Sequence, residues 1–318
     1  MKSFFRGILW ILVELLVYAS LFVAAGALII FGIQFISGNE YLFWTSTTLN
    51  EQTNPYTLLA STFIPVLISG TVAAVIAHHY IFKRPLAGLG FIPYHAIDYF
   101  GLGWLWSLGL VLPGFLILWL FGQIQLLPAD LNWFYLTGFI VFFIIQSAGE
   151  EVITRAYLIP MMESRFNTLA ALVVSASVFA LLHLGNEHFT WIGFLNILAG
   201  GALMALFFIC YRNIWICTGL HAGWNFVQAS LLDFNVSGID VYSFIQFRNI
   251  GYPRLTGSDF GYEGSLIALM IQAVGIFLFI RWNREELSAL FNRQVTPVIE
   301  RVDATDTWMT IKDEDAGQ

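Results

Sequence analysis

Charged side chains are scarce in this sequence of 318 residues: Asp, Glu, Lys and Arg make up 11% of it, whereas 58% of the residues are hydrophobic. Soluble proteins carry about 25% charged residues, so this composition is typical of a protein built for lipid. Cysteine is limited to Cys210 and Cys217, where we expect free thiols. The sequence also lacks a nucleic-acid motif, a phosphate-binding glycine loop, a heme motif and a Cys/His zinc knuckle. We therefore expect no nucleic-acid partner.

Long apolar runs recur along the chain, and each is close to the roughly 20 residues that a helix needs to cross a ~30 Å hydrocarbon core. The runs lie at about residues 7–36, 57–82, 99–121, 132–161, 167–184, 191–211, 214–232 and 264–281. The pattern predicts an all-α fold, a polytopic membrane helical bundle with about eight transmembrane helices. Membrane lipids are therefore the first expected partners.

Lysine and arginine are distributed asymmetrically between the predicted loops. Of the 14 residues of these two types, only Arg248 and Arg254 lie on one side, and Arg155 lies inside a predicted helix. All the others lie on the opposite side. Because Lys and Arg accumulate in cytoplasmic loops, this asymmetry places both termini in the cytoplasm. We expect a multi-pass protein of a bacterial or archaeal plasma membrane.

The predicted spans divide the chain into three regions. Residues 1–98 comprise two transmembrane helices and a cytoplasmic connector, residues 99–282 form the core with the final helix, and residues 283–318 form a polar cytoplasmic tail. Residues 281–293, at the beginning of the tail, have the pattern of an amphipathic helix at the membrane surface, with Leu287, Leu290 and Phe291 facing lipid.

One outer loop, residues 233–263, is long and rich in aromatic residues. It is either a lid over the helical bundle or an aromatic belt at the membrane interface.

Glu150, Glu151 and Arg155 lie inside one of the predicted spans. An ionisable side chain at bilayer depth costs roughly 2.5–3.5 kcal/mol, so such residues need partners and mark function. Glu151 and Arg155 have the i, i+4 spacing that puts them on one helix face, where they can pair. Glu150 lies about 100° around the helix and is left without this cation. The spacing predicts that Arg155 holds Glu151 ionised while Glu150 stays available for proton transfer.

Two histidines and an asparagine occupy other predicted spans. Phe179 and His183 have the i, i+4 spacing, as do His221 and Asn225. Each pair therefore projects from one face of its helix. Polar residues on neighbouring spanning helices favour a shared functional site. The candidate catalytic residues are Glu150, His183, Glu151, Arg155, His221 and Asn225.

The midpoint in sequence between Glu150 and His183 falls inside the polar turn at residues 163–167. Two antiparallel helices that fold back at this turn bring both side chains to the same depth. A carboxylate and an imidazole at one depth can share and polarise a water molecule. His221 and Asn225 would then supply donors to a developing oxyanion.

The depth of His221 is harder to predict. Straight helices would put it nearer the cytoplasmic face than His183. Gly185, Gly200 and Gly201 permit a tilt, a break or close packing between the two helices. The sequence leaves these possibilities open.

The polar residues form three motifs that follow one another along the chain: Glu150-Glu151-x-x-x-Arg155, Phe179-x-x-x-His183 and His221-x-x-x-Asn225. Together they resemble the CPBP/Abi group, which comprises CAAX prenyl endopeptidases of the Ras-converting type and bacteriocin-processing or immunity proteins. The resemblance covers residues 99–232. It implies an intramembrane endopeptidase that acts on a peptide or a lipidated protein.

The resemblance also assigns roles to the motif residues. It makes Glu150 the general base on water and His183 its partner, while Glu151 and Arg155 hold the site. His221, together with Asn225, would stabilise the oxyanion or join in binding a metal.

The resemblance leaves two possibilities for a cofactor, none or Zn²⁺. Members of the group are often described as metalloproteases, and a glutamate with two histidines suits Zn²⁺. In that case the metal ligands would be Glu150, His183 and His221. Asparagine is a poor zinc ligand, which favours metal-free chemistry in which a glutamate activates the water.

Two other functions compete with an endopeptidase. A non-proteolytic immunity or scaffold protein of the same fold is expected to have lost motif residues, and here all of them are intact. A proton-coupled transporter would also bury Glu, Arg and His, but it typically has repeated halves with paired broken helices, and the sequence shows none. The sequence thus favours the endopeptidase.

Overall fold

A computed structural model describes residues 2–37 and 54–292 of the chain. These residues form a helical bundle, which confirms the predicted all-α fold class. Most of the predicted polar tail at 283–318 lies outside the described residues.

The α-helices are, in chain order, α1 Lys2–Ser37, α2 Pro55–Leu58, α3 Ile64–Val75, α4 Ala96–Leu120, α5 Trp133–Glu151, α6 Leu158–Glu163, α7 Thr168–Leu182, α8 Trp191–Tyr211, α9 Ile214–Phe226, α10 Pro253–Thr256, α11 Leu266–Trp282 and α12 Arg284–Phe291. Wider π-helical turns occupy Leu59–Phe63, Ile76–Ile81, Val152–Tyr157 and Val227–Leu231. Short 3₁₀ turns occupy Leu86–Leu89, Ser258–Phe260 and Tyr262–Gly264. The two strands are β1 Ile124–Leu127 and β2 Gln246–Asn249.

Within the described residues, five segments are long and apolar enough to cross a membrane: Phe5–Gly32, Ile64–Ile81, Ala96–Leu120, Trp133–Glu163 and Trp191–Tyr211. A sixth is added if α11 and α12, which meet at 81°, count as one bent span. The predicted number, about eight, is higher because two of the predicted helices are not counted. Helix α7 has only 15 residues, fewer than the roughly 20 that cross the hydrocarbon core. Helix α9 and the π-helical turn that continues it to Leu231 are long enough together, but His221, Asn225 and Gln228 make this segment less apolar.

The chain from α5 to α7 forms the predicted hairpin. The π-helical turn Val152–Tyr157 joins α5 to α6, and it ends shortly before Pro160. Proline has no N–H to donate to the preceding turn, which favours a local change of helical pitch. Such π-turns inside helices often occur at functional sites. Asn167 then caps α7 by accepting a hydrogen bond from Ala170 N at 2.8 Å.

Helices α4 and α9 pack with their backbones in close approach. A Cβ atom on Gly103 would lie 2.1 Å from the carbonyl oxygen of Ile216, and a Cβ on Gly219 would lie 2.1 Å from that of Phe100. Neither position therefore tolerates a side chain. This contact fixes where α9 lies in the bundle.

The start of α9 lies beneath the connector between α3 and α4. Ile214 N donates to Gly90 O at 3.0 Å, and Trp215 Nε1 donates to Ile92 O at 3.0 Å. Asn213 and Ile214 are both buried. Because α9 begins inside the protein, two of its turns are enough to bring His221 to the depth of Glu150. At Gly201, helix α8 continues without a break. The glycine instead allows α8 to pack closely against α7, since a Cβ atom at this position would lie 3.3 Å from Ala176 Cα.

A buried ion cluster holds α1 against the rest of the bundle. Glu14 Oε2 accepts from Arg84 Nη1 at 2.7 Å, and Glu14 Oε1 accepts from Arg165 Nη2 at 2.6 Å. Arg84 also donates to Ser164 Oγ at 2.8 Å. The cluster links α1 to the α3–α4 connector and to the turn between α6 and α7.

The outer loop covers one end of the bundle. Strand β2 pairs with β1 in antiparallel register, with Ile124 opposite Asn249. Phe260 and Tyr262 are buried, and Tyr262 Oη donates to Leu110 O at 2.9 Å. Burial raises the pKa of Tyr262 above its ordinary value. These contacts favour the lid over the aromatic belt, because the rings of Phe247, Phe260 and Tyr262 point into the protein, whereas that of Tyr252 is exposed.

Helix α12 has the predicted amphipathic character but a different orientation. Leu287 is buried in the main hydrophobic core, and Leu290 and Phe291 pack against the same core. The expectation that Leu287, Leu290 and Phe291 face lipid is therefore wrong, because α12 turns by 81° from α11 and its apolar side meets protein.

Candidate active site

Glu150, in the last turn of α5, faces two imidazole rings. Its Oε2 lies 3.9 Å from His183 Nε2 and 3.8 Å from His221 Nε2. Oε2 is buried, and it accepts a hydrogen bond from no other described residue. The other oxygen, Oε1, accepts from Gln146 Nε2. The two oxygens thus differ: one is held by an amide, and the other points at both histidines.

His183 caps the end of α7, and its ring is held by the backbone of its own helix. Nδ1 lies 2.7 Å from the carbonyl oxygen of Phe179. A carbonyl oxygen only accepts, so Nδ1 carries the proton. In the neutral ring Nε2 is then an acceptor, directed at Glu150.

His221 is oriented in the same sense by a different partner. Its Nδ1 lies 2.9 Å from Glu151 Oε1. Because Glu151 also pairs with Arg155, its carboxylate accepts and Nδ1 donates. Nε2 of His221 therefore points at Glu150, as Nε2 of His183 does.

Glu151 and Arg155 form the predicted pair, entirely buried. Arg155 Nη1 donates to Glu151 Oε1 at 2.9 Å, and Nη2 donates to the carbonyl oxygen of Gly201 at 3.1 Å. Nη1 also donates to Thr154 Oγ1 at 2.6 Å. Neither Glu151 nor Arg155 lines the cavity described below. Their position suits a role in holding the site and not in touching a substrate.

The ring of Phe179 lies at the centre of the site. The Arg155 guanidinium lies 4.4 Å from its centroid, a cation–π distance. The ring centroids of His183 and His221 lie 4.7 and 5.4 Å away. One aromatic ring therefore fixes the positions of three functional side chains.

Asn225 reaches Glu150 through a residue that the sequence analysis did not select. Asn225 Nδ2 donates to Gln146 Oε1 at 3.1 Å, and Gln146 Nε2 donates to Glu150 Oε1. Gln146 precedes Glu150 by four positions, so the same i, i+4 rule that paired Glu151 with Arg155 could have identified it.

A cavity of about 300 Å³ lies in front of these groups. Glu150, with 32% of its side chain exposed, and His183, with 17%, contribute to its wall, together with His221 and Asn225. Most of the remaining wall is apolar, with residues from α4, α5, α7, α8 and the outer loop: Leu110, Phe142, Phe143, Leu182, Ile197, Leu203, Val236, Ile239 and Val241. The cavity can hold an apolar segment beside a carboxylate and two imidazoles.

Glu150, His183 and His221 have the side chains that Zn²⁺ binds, but the distances between their ligand atoms are longer than those around a bound Zn²⁺. Ligand atoms about 2.0–2.1 Å from a tetrahedral Zn²⁺ lie about 3.4 Å from one another. Glu150 Oε2 lies 3.8 and 3.9 Å from the two imidazole nitrogens. Within the described residues, no group of three or more His, Cys, Asp or Glu side chains is arranged to hold a metal ion. The site as it stands does not fit the metal, and the proposed reaction uses none.

The motif region matches a known family. Residues 132–227, from the start of α5 to the end of α9, match the family model described as Rce1-like, type II CAAX prenyl endopeptidase Rce1-like. The matched segment is about a third of the chain, and in this segment the chain is similar to the Rce1-like family. The match supports an intramembrane endopeptidase of the CAAX-protease type. No curated protein matches the chain.

Among the described residues both cysteines are free, as predicted. Cys210 and Cys217 are buried on either side of the turn between α8 and α9, and neither lines the cavity.

Proposed function

We propose that this Rce1-like protein is an intramembrane endopeptidase in which Glu150 and His183 activate a water molecule. Its substrate is a peptide or a lipidated protein of the CAAX type. The observation that carries the proposal is the distance of 3.9 Å between Glu150 Oε2 and His183 Nε2, at the wall of the cavity.

This distance suits a shared water. It is too long for a direct hydrogen bond, but one water can bridge two such atoms at ordinary hydrogen-bond lengths. Both atoms are acceptors when His183 is neutral, so the water donates one hydrogen to each. Its lone pairs are then free to attack a substrate carbonyl carbon.

Glu150 is the base in this scheme. As the water oxygen bonds to the carbonyl carbon, one water proton passes to Glu150 Oε2 and a tetrahedral intermediate forms. When the C–N bond breaks, this proton passes to the departing amine nitrogen. Gln146 holds the other oxygen of Glu150 throughout, which keeps Oε2 aimed at the water.

Asn225 and His221 stabilise the oxyanion. Asn225 Nδ2 has two hydrogens, of which Gln146 accepts one, so the second can be donated to the oxyanion. His221 Nε2 donates only when the ring is protonated. The Glu151 carboxylate at Nδ1 stabilises that imidazolium, as a buried aspartate does in serine proteases.

The wall of the cavity bears on the substrate class. Its volume of about 300 Å³ is at the lower end of the range for ligand pockets, about 300–1,000 Å³. Its mostly apolar lining suits aliphatic side chains or a prenyl chain next to the scissile bond. This agrees with the CAAX substrates named in the description of the matching family.

The test is cleavage by purified protein in liposomes. The substrates are a farnesylated CAAX peptide and the same peptide without the farnesyl group, and mass spectrometry identifies the products. We expect release of the tripeptide that follows the farnesylated cysteine, and its loss in Glu150→Gln. Glu285→Gln, which changes a surface glutamate with 89% exposure on α12, should cleave normally. Cleavage at the normal rate by Glu150→Gln would refute the proposal.

A further inference from the structure

A second set of polar residues lines the same cavity. Asn196 on α8, Gln272 on α11 and Glu263 in the outer loop all contribute to its wall. They come from other elements than the candidate catalytic residues, which α5, α7 and α9 carry. No step of the proposed hydrolysis uses them.

Hydrogen bonds fix the orientation of the Asn196 amide. Its Nδ2 lies 2.6 Å from the carbonyl oxygen of Glu263 and 2.9 Å from that of Ser265. Carbonyl oxygens only accept, so the nitrogen must be the atom that faces them. Asn196 Oδ1 therefore faces Gln272, whose Nε2 donates to it at 3.1 Å.

This chain of hydrogen bonds also fixes Gln272. Because its nitrogen donates to Asn196, its Oε1 must point the other way. Gln272 is 2% exposed, and its Oε1 is buried and accepts from no other residue that the structure describes. A buried acceptor without a donor is costly.

The unpaired oxygen lies just behind the part of the cavity wall that Gly200 forms, and it is not exposed to solvent. A Cβ atom on Gly200, which also lines the cavity, would lie 3.4 Å from Gln272 Oε1. Among the described residues it would meet no other atom outside its own helix within 4 Å. Gly200 has no side chain to cover the oxygen, so a small shift of the wall at this position would let a ligand N–H reach it.

Glu263 adds negative charge to this part of the wall. Its carboxylate accepts from Trp224 Nε1 at 2.9 Å, Gln228 Nε2 at 3.1 Å and Ser237 Oγ at 2.6 Å. In the described part of the chain, these partners and the Ser237 backbone N–H are all neutral. A carboxylate with only neutral partners and a free amide oxygen, both in the wall of one cavity, favour a ligand that donates hydrogen bonds and disfavour a carboxylate or another acceptor.

We propose that Gln272 Oε1 is a substrate-binding group that accepts a hydrogen bond from one backbone N–H of the bound peptide. This inference rests on the proposed function, since it takes a peptide as the ligand. The hydrogen bond fixes which residue of the peptide lies beside Gln272, and therefore which bond lies in front of Glu150. A peptide without that N–H leaves the oxygen unpaired, which is how a site built for a hydrogen bond rejects the wrong ligand.

The experiment measures binding in the Glu150→Gln background, where the peptide is not cleaved. The probes are the farnesylated CAAX peptide and a series in which each backbone N–H in turn is methylated, with affinities read by fluorescence anisotropy in nanodiscs. We expect methylation at one position to weaken binding roughly three- to tenfold. Gln272→Met, which removes the oxygen, and Gly200→Ala, which covers it with a methyl group, should each abolish that difference.

Gly109→Ala is the matched control. Gly109 is an exposed helical glycine on α4, where a Cβ would meet nothing within 4 Å of the described residues, and it does not line the cavity. This variant should keep the full penalty for methylation. Because Gly200→Ala leaves the hydrogen bonds of Gln272 intact, it tests the proposal even if Gln272→Met does not fold.

Three outcomes would overturn the inference: equal affinity for every methylated peptide, a methylation penalty that persists in both variants, or no binding of the unmethylated peptide. The proposed function is tested separately, by measuring cleavage with protein that keeps Glu150. A peptide that binds with the Gln272-dependent penalty but is never cleaved would reject the endopeptidase and keep the binding group.

Discussion

His221 on α9 donates its Nδ1–H to Glu151 Oε1 on α5 at 2.9 Å, and the same oxygen accepts from Arg155. Glu151 is buried and does not line the cavity. The interaction therefore aims the imidazole of His221 at Glu150 and ties two helices together at the site. Of the two adjacent glutamates, Glu151 positions His221 and Glu150 faces the cavity.

The first prediction concerns the buried pair of Glu151 and Arg155. Arg155→Ala leaves the Glu151 carboxylate without its cation, and removing one partner of a buried ion pair costs about 3–5 kcal/mol. We expect a lower yield of monodisperse protein in size-exclusion chromatography, a lower melting temperature and lower cleavage activity.

Arg212→Ala is the control for this prediction. Arg212 pairs with Glu163 at 2.6 Å, but their side chains are 36% and 19% exposed. Exposed pairs contribute about 0–1 kcal/mol, so this variant should lose much less stability. Normal expression and normal turnover of Arg155→Ala would contradict the assigned role.

The second prediction concerns Asn225. If its amide donates to the oxyanion, Asn225→Ala should lower kcat about 10²–10³-fold, since this is the effect of removing one oxyanion donor. Asn225→Asp keeps the shape and removes the donor, so it should also fail. Asn235→Ala, in the outer loop and away from the cavity wall, is the control. An increase in KM with unchanged kcat would assign Asn225 to substrate binding instead.

Local spacing explains which parts of the site were predictable. The pairing of Glu151 with Arg155 follows from i, i+4 geometry, and the shared depth of Glu150 and His183 follows from a midpoint in sequence that falls inside one turn. Both deductions use only neighbouring helices and short connections. The structure agrees with both, at 2.9 and 3.9 Å.

Long-range contacts explain the rest. The depth of His221 depends on α9 starting beneath the connector at Gly90. Glu14 pairs with Arg84 and Arg165, which are 70 and 151 positions away in the sequence. Nothing in the spacing of one sequence selects such partners. The orientation of Leu287 was mispredicted for the same reason, because amphipathicity shows that a helix has an apolar side but not what that side meets.

The third prediction concerns the cluster that holds α1. Glu14→Gln removes the charge that Arg84 and Arg165 share, so we expect a loss of stability comparable to that of Arg155→Ala. Glu14 does not line the cavity, and the protein that survives should therefore keep its kcat. The check combines a thermal melt with turnover per folded molecule, with Glu285→Gln as the control. A large fall in kcat at unchanged melting temperature would mean that α1 acts on the site itself.

The last prediction separates the two kinds of hydrolysis. Glu150 Oε2 is 3.8 and 3.9 Å from the two imidazole nitrogens, which leaves room for a water but is wider than the spacing of zinc ligands. We therefore expect cleavage of the farnesylated peptide to survive prolonged incubation with EDTA or phenanthroline. Metal analysis of the dialysed, active protein should find much less than one equivalent of zinc. Because chelators can also disturb membranes, the unchanged protein treated with the same chelator already saturated with Zn²⁺ serves as the reference for nonspecific loss. Activity that chelation abolishes and that Zn²⁺ alone restores would show that Glu150, His183 and His221 close around a metal, and the shared-water scheme would have to be abandoned.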